Sequence, residues 1–476
     1  MCHKKMDGYK RPIGDIVTLL DLTPRDFQDG YFTPLDANKT WWLPNKGRRI
    51  RPFSMSIQEF PIRGPTGYGQ RFVFDLKSVS CGDILFSTIL QIQLNSWLDD
   101  TTILRIDSEA YKFNNPAAWF FANSLGSVII EKASLEVNDH IIETIDGDFL
   151  NVYNKLYEDM NNQYGLATDG LGTSSLTQTM HAFPGQSDML CIPLPFFFQR
   201  FKMEEGFPLL ACKEGSVRIN ITLRPFAECV RRLSGMRSSC DEVPLNTVEH
   251  FMSARGPVEV KTQDKIPSFK QIKLVTYCAQ TDGIIRNNIL RDPLEILMRN
   301  VSTFYFAEPL KYVINKTSSD TIQVQLPLEA NHPMEEILWF VRRKDVAVNN
   351  EWTNYSSVLQ RELDPVYNPE GPLLVSASLQ FNGVDIVSQD EKWFRQSNSL
   401  KHKGGYSAYS SYIYGYSFAT NPGEHQPSGT ANASRLQTIR LNLTVNGVAE
   451  WEVKVFVITL QWLRFQDGIS NVMYRD

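Results

Sequence analysis

Two stretches of this chain, 244 residues apart, read as one pattern written twice. Ala133–Asn154 (ASLEVNDHIIETIDGDFLNVYN) and Ala377–Asn398 (ASLQFNGVDIVSQDEKWFRQSN) align without a gap. Ala133, Ser134, Leu135 and Asn138 return as Ala377, Ser378, Leu379 and Asn382; Ile142, Asp146 and Asn154 return as Ile386, Asp390 and Asn398. A second echo follows in the same order: Ser216–Leu223 (SVRINITL) returns as Thr438–Val445 (TIRLNLTV). Two echoes in register and in order mean one domain plan used twice, and a repeat of this size constrains the fold more than any local motif. The offset drops from 244 to 222 between the echoes, so the first copy carries about 22 extra residues between Asn154 and Ser216.

With 476 residues, two copies of roughly 200 residues each can bury a core of their own. The 42% hydrophobic and 21% charged content is that of a globular chain. A net charge of −5 argues against a coat held on nucleic acid by bulk charge, and no direct nucleic-acid partner is expected. The basic run Lys46–Arg51 is short enough to be a solvated turn. The seven cysteines are odd in number and form no CxxC, which reads as reduced thiols rather than a disulfide framework. The start lacks the apolar core of a signal peptide, and no apolar run reaches the length of a membrane span.

Residues 1–40 show no sustained period and are interrupted by Pro12, Pro24 and Pro34; they read as an N-terminal arm. Beyond them the pattern is mostly strands. Phe72, Phe74 and Leu76 alternate with Arg71, Val73 and Asp75, and Ile84–Leu94 and Ser127–Val137 are longer β-rich runs. A short helix capped by Asp146 or Asp148 places Phe149, Leu150, Tyr153, Leu156, Tyr157 and Met160 on one face, and its second copy has Asp390 as cap. Asn161–Ser187 is polar and reads as a surface loop. Prolines 193 and 195 confine Cys191–Phe198 to an edge or bulged strand. Strands are expected again over Lys270–Ala279, Ser302–Phe306, Thr321–Leu328 and Ile337–Arg342, with a short helix at Asp292–Arg299. Val455–Leu460 is apolar at every position but Thr459, as expected of a strand covered on both faces. The expectation is an all-β chain of two consecutive eight-stranded jelly-roll barrels with short helices in loops. Its division is an arm at 1–40, a first jelly roll at 41–230, a linker at 231–257 and a second jelly roll at 258–476.

Catalytic chemistry finds little footing. No two of the seven histidines lie within four residues of each other, so the paired ligands of a jelly-roll metalloenzyme are missing. No nucleophile elbow or glycine-rich phosphate loop occurs. Glu204/Glu205 and Glu335/Glu336 are adjacent carboxylates of the kind found on solvated turns, and Glu424-His425-Gln426 sits in a turn built from Pro422, Gly423, Pro427 and Gly429. No catalytic, cofactor-binding or metal residues are assigned. A carbohydrate-binding jelly roll is the alternative from a different class.

Tyr414–Arg435 (YGYSFATNPGEHQPSGTANASR) resembles the YSFAL-x-PE-x-HQPSGT-x-N-x-SR signature of the major capsid proteins of nucleocytoplasmic large DNA viruses. His332-Pro333 with Glu336-Ile337-Leu338-Trp339, Phe381-Asn382-Gly383, Ile192–Phe198 and Gly147–Leu150 resemble further family segments, from about Gly82 to Leu463. Tyr31–Met55 departs from the family pattern. The resemblance implies a double jelly roll and a homotrimeric, pseudo-hexagonal capsomer that tiles an icosahedral shell. The alternative within that class is a minor capsid or scaffold paralogue. The implied partners are copies of the chain itself, neighbouring capsomers, minor capsid proteins, and inner-membrane proteins through the arm. The implied location is the virion shell, with assembly in the host cytoplasm. The Ser417–Arg435 segment is expected to be an architectural turn, held by the Asn432 amide and by Arg435 bonds to carbonyls.

Overall fold

The computed structural model describes residues 53–95, 117–158, 189–200, 206–212, 215–234, 268–307, 321–359, 371–402, 412–447, 450–466 and 469–472. The arm, the basic run Lys46–Arg51, Glu204/Glu205 and the loop Asn161–Ser187 lie outside these residues.

The strands expected from alternation form where the pattern places them. In the first half, β1 (Phe53–Pro61), β2 (Arg71–Leu76), β3 (Ile84–Leu94) and β4 (Ala117–Phe121) are followed by β5 (Ile130–Val137), β6 (His140–Asp146), β7 (Met189–Pro193), β8 (Val217–Leu223) and β9 (Val230–Ser234). Then come β10 (Phe269–Thr281), β11 (Leu294–Ala307), β12 (Thr321–Pro327), β13 (Pro333–Arg343), β14 (Leu374–Phe381) and β15 (Val384–Asp390). The last are β16 (Ile413–Ser417), β17 (Ala431–Asn432), β18 (Ile439–Asn446), β19 (Trp451–Gln466) and β20 (Ile469–Val472). Three helices matter here: α1 (Gly147–Leu156), α2 (Gly283–Arg291) and α3 (Glu391–Lys401).

Pairing is antiparallel throughout. The first barrel consists of a sheet ordered β1-β10-β3-β7 and a sheet ordered β2-β8-β5-β6. The second consists of β11-β19-β13-β16 and β12-β18-β14-β15. Setting aside β4, β9, β17 and β20, both barrels pair their eight strands as 1-8-3-6 and 2-7-4-5, which is the jelly-roll order. Side chains alternating inward fill each barrel: Phe72, Phe74, Leu76, Leu85, Leu90 and Ile92 in the first, Ile337, Leu379, Leu441, Leu443 and Val445 in the second.

The repeat extends to irregularities. In the first copy Leu135 faces Glu143, a bulge follows, and Glu136 faces Ile141. In the second, Leu379 faces Val387, a bulge follows, and Gln380 faces Asp385. All four positions are related by the same 244-residue offset. Ser134 faces Asn220 as Ser378 faces Asn442, and both ladders carry a second bulge at the start of β5 and β14. Bulges set the twist and aim of a strand, so a shared bulge pattern preserves barrel shape where side chains have diverged.

Three local expectations differ from the structure. The strand that a boundary at residue 258 assigns to the second jelly roll, β10, pairs with β3 and β1 and completes the first barrel. A jelly roll needs its eighth strand between its first and third, and the first barrel receives that strand only after the long connection. The helix expected at Asp292–Arg299 lies earlier, at α2, where Asp282 caps it by accepting from Ile285 N at 3.0 Å. Residues from Leu294 onward instead pair along β19. At the start of the expected linker, β9 (Val230–Ser234) crosses its boundary and pairs with β4.

Candidate functional site: the seam between the barrels

The seam is built from the end of the first echo. Asp146 ends β6 with extended backbone and accepts from Phe149 N at 2.7 Å, which starts α1. Gly147 lets the helix approach closely: a Cβ there would lie 2.1 Å from Ser127 O and 2.6 Å from Ile130 O. The helix therefore sits flush on its own barrel and turns its other face to the outer side of β13 and β19.

That face carries both rings and charge. The Phe149 ring packs on Phe456 at 5.4 Å, and Asn151 donates to the Tyr355 hydroxyl at 2.8 Å. Asp148 takes Arg342 Nη1 at 2.9 Å and Lys454 Nζ at 2.7 Å; Lys454 also reaches Asp146 at 2.6 Å. Arg342 continues to Glu452 at 2.7 Å and to the Trp352 carbonyl. Burial alone would push the Asp148 carboxyl up; Arg342 and Lys454 together outweigh it and hold the group below the usual carboxylate range.

A second cluster lies further along. Arg299 forms an ion pair with Glu335 (3.1 Å for the longer bond) and donates to the Glu424 carbonyl. Arg200, from the first barrel, binds Glu143 and donates to the Arg299 carbonyl at 2.8 Å. The Tyr157 hydroxyl donates to Glu336, whose other oxygen meets His402 Nε2 at 2.7 Å. Burial disfavours the imidazolium, but the Glu336 carboxylate more than compensates, and the His402 pKa is raised. Burial, then the same carboxylate, pushes the Tyr157 phenol well above its ordinary value.

Glu335 and Glu336, read from sequence as solvated, are thus both 1% exposed and paired. Their strand, β13, is covered on one face by its own barrel and on the other by the first. The signature turn also belongs here. Pro422, Gly423, Glu424 and His425 line a cavity of about 400 Å³ together with Phe149, Tyr157, Arg200, Arg299 and Glu335. The turn is architectural in position, and of the two side chains expected to hold it, Asn432 does so. Asn432 is exposed and acts through its carbonyl oxygen, accepting from Ser434 N at 3.1 Å. Arg435 is exposed, and among the described residues it makes no bond to a backbone carbonyl. Among the described residues no group of three potential metal ligands comes together.

What the seam can do is mechanical. Its charged groups answer one another across it, in surroundings where an unpaired charge is costly, so the two barrels move as one piece. Two barrels of one topology, locked in this way, define a double jelly-roll protein. The description "Large eukaryotic DNA virus major capsid protein" fits residues 286–462, and "Major capsid protein N-terminus" fits residues 43–257. The chain belongs to the major capsid protein family of large eukaryotic DNA viruses, a structural protein of the virion capsid shell. It is 25% identical to the major capsid protein of Phaeocystis pouchetii virus, over 96% of this chain and 99% of that one. It is 24% identical to that of Chrysochromulina ericina virus, over 96% and 99%. Among solved structures, a PBCV-1 VP54 chain matches with TM-score 0.66 at 16% identity, covering 90% of this chain and 98% of that one. The Faustovirus major capsid protein matches with TM-score 0.64 at 11% identity, covering 95% and 96%. These two likenesses establish the fold.

Proposed function

We propose that the chain enters the shell as a homotrimer, a pseudo-hexagonal capsomer with six barrels around a threefold axis. The observation that carries this reading is the repeat itself: two barrels of one strand order and one bulge pattern. Three copies of such a pair supply six similar units, and closed symmetry is the usual outcome for a soluble homo-oligomer. In this reading the rigid tile is the body from β1 to β20, divided by strand pairing between β10 and β11. Residues 1–40 form an arm on the inner side that engages minor capsid or inner-membrane proteins. The net charge of −5 suits a shell without direct contact to the genome. Assembly in the host cytoplasm suits the reduced thiols at Cys81, Cys212, Cys229 and Cys278. Light scattering on the purified protein tests the central claim: a trimer mass is expected, and a monomer at micromolar concentration overturns it.

A further inference from the structure

Two thiols meet in the core of the first barrel. The connection from β2 to β3 contains a short helical turn, Ser78–Cys81. Val79, at 97%, and Ser80 are exposed on it, and Cys81 is its one buried residue. Cys81 packs in the core with Cys278 of β10, and both are 0% exposed. Their sulfurs are in hydrogen-bond contact. The backbone holds them at this range. Gly82 has a φ of +141°, and a Cβ there would lie 3.0 Å from Cys278 Cβ and 3.1 Å from Ala279 O, so glycine lets the turn come this close to β10. Asp83 N donates to Ala279 O at 2.9 Å, and the Asp83 carboxylate accepts from Thr281 N at 2.9 Å and from the Thr281 hydroxyl at 2.7 Å. Cys212 and Cys229, the other buried thiols among the described residues, lie instead beside Ser470 and beside Arg224 and Glu228.

We infer that Cys81 and Cys278 are a latent disulfide, open in reducing surroundings and closed by a small disulfide oxidant such as glutathione disulfide. The bond fastens the eighth strand of the first barrel to the turn between its second and third. The two thiols differ in the way the exchange needs. The hydrogen bond from Cys81 outweighs burial and lowers the Cys278 pKa, whereas that contact and burial both raise Cys81. Thr276 Oγ1, 3.6 Å from the Cys278 sulfur, is a second donor once Cys278 is a thiolate. The Cys278 thiolate attacks one sulfur of the oxidant. The oxidant's S–S bond breaks, and its other sulfur leaves with the proton that Cys278 gave up. Cys81 then attacks the Cys278 sulfur of the mixed disulfide, and the second small thiol leaves with the Cys81 proton. Two protein thiols are oxidised to one disulfide, and one small disulfide is reduced to two thiols. Local opening of the four-residue surface turn is enough to admit the oxidant.

The bond links residues 197 positions apart and encloses every strand from β3 to β9, and a cross-link over so long a loop strongly restricts the unfolded chain. β10 is the strand that arrives after the long connection, and it leads directly into α2 and β11. The bond therefore also secures the point where the chain passes from one barrel to the other. For a shell protein the consequence is a particle that tightens on leaving a reducing cell and loosens on entering one. That timing rests on the reading of assembly in the cytoplasm; the bond itself does not.

The test is a redox titration of the purified full-length chain. Reduced protein is incubated at neutral pH with glutathione disulfide or with excess reduced glutathione. Free thiols are then blocked with N-ethylmaleimide, and peptides are mapped by mass. The Cys81 and Cys278 peptides should be linked in the oxidised sample alone. The thermal midpoint should rise by about 5 °C with the bond and return on addition of dithiothreitol. Cys81→Ala and Cys278→Ala should each abolish the rise. Three results on the parent overturn the inference: both thiols still alkylated after oxidation, either thiol linked to a different cysteine, or a Cys81–Cys278 bond that leaves the midpoint unchanged. A bond that forms equally in reduced glutathione is constitutive and overturns the switch. These results are read on the parent, so they stand even where an alanine variant fails to fold.

Discussion

The two helices that follow the two echoes, α1 and α3, start in the same way and end in opposite surroundings. Each is capped by an aspartate on the third amide: Asp146 to Phe149 N at 2.7 Å, Asp390 to Trp393 N at 3.0 Å. Each buries the following apolar residue, Leu150 or Phe394, in its own barrel. They diverge in the residues between. Gly147 admits backbone at a distance no side chain could tolerate, whereas Glu391 occupies that position in the second copy and pairs with Arg395 at 2.9 Å. Asp148 answers the buried Arg342 and the half-buried Lys454; Lys392 is exposed. The difference teaches that a duplicated element keeps its backbone through caps and bulges, while a handful of outward side chains decide whether it becomes interior or surface.

The largest effect expected from breaking this comparison is at Asp148. Asp148→Ala leaves Arg342 and Lys454 partly unpaired in a buried site, and removal of one member of such a pair costs about 3–5 kcal/mol. Lys392→Ala, the same position in the second copy, should stay within about 0.5 kcal/mol. Urea unfolding of the two variants under dissociating conditions measures the contrast. Equal losses would mean that the seam charges do not hold the barrels together.

The ring positions give the next contrast. Phe149→Ala opens a cavity against Phe456 and should cost about 3–5 kcal/mol in the same assay. Trp393→Ala removes a ring more than a third exposed, so its cost to the monomer should be about 1 kcal/mol.

Much of this fold is legible in the sequence because alternation and repetition are local signals. Phe72, Phe74 and Leu76 mark β2, and the echoes mark β5 through α1 and β14 through α3. The run Val455–Leu460 announces a strand covered on both faces, though not by what. The seam was not legible. Glu335, Glu336, Arg299 and Arg342 look like surface residues one at a time, and Asp148 and Arg342 are 194 residues apart. His402 has no histidine nearby in sequence, so no spacing flags it. The signal available is indirect: a nearly all-apolar run, Val455–Leu460, beside charged β13 implies a cover that must supply counter-charges. β10 was assigned to the wrong barrel for a related reason, since its partners on β3 and β1 precede it by the whole length of the first copy.

The pH dependence sharpens the comparison from another side. His402 has a folded pKa above its ordinary value of about 6.5, so its contribution is fully present below that pH. It is lost as pH rises through the raised folded value. Asp148 has the opposite sign: its contribution is present above about pH 4 and falls away as pH drops through its lowered folded value. Chemical-denaturation stability of the parent should therefore decline from neutral toward alkaline pH, and His402→Gln should flatten that decline. A decline unchanged in His402→Gln would remove His402 from the seam's energetics.

The smallest contrast isolates one ion pair from an otherwise shared cap. Asp146→Ala and Asp390→Ala each remove an N-cap of the same geometry, worth about 1 kcal/mol. Only Asp146 also touches a cation, Lys454 at 2.6 Å, whose ammonium retains Asp148 when Asp146 is gone. The excess cost of Asp146→Ala over Asp390→Ala therefore measures a partly redundant pair that is 16% and 22% exposed at its two side chains. That should place the excess at about 1 kcal/mol or less, nearer to a solvated pair than to a buried one. The comparison is made in dissociated protein, so that only contacts within one chain are measured. Equal costs in the monomer would show that Asp148 alone satisfies Lys454. An excess of several kcal/mol would show that the two carboxylates hold it jointly and that the seam has no spare charge.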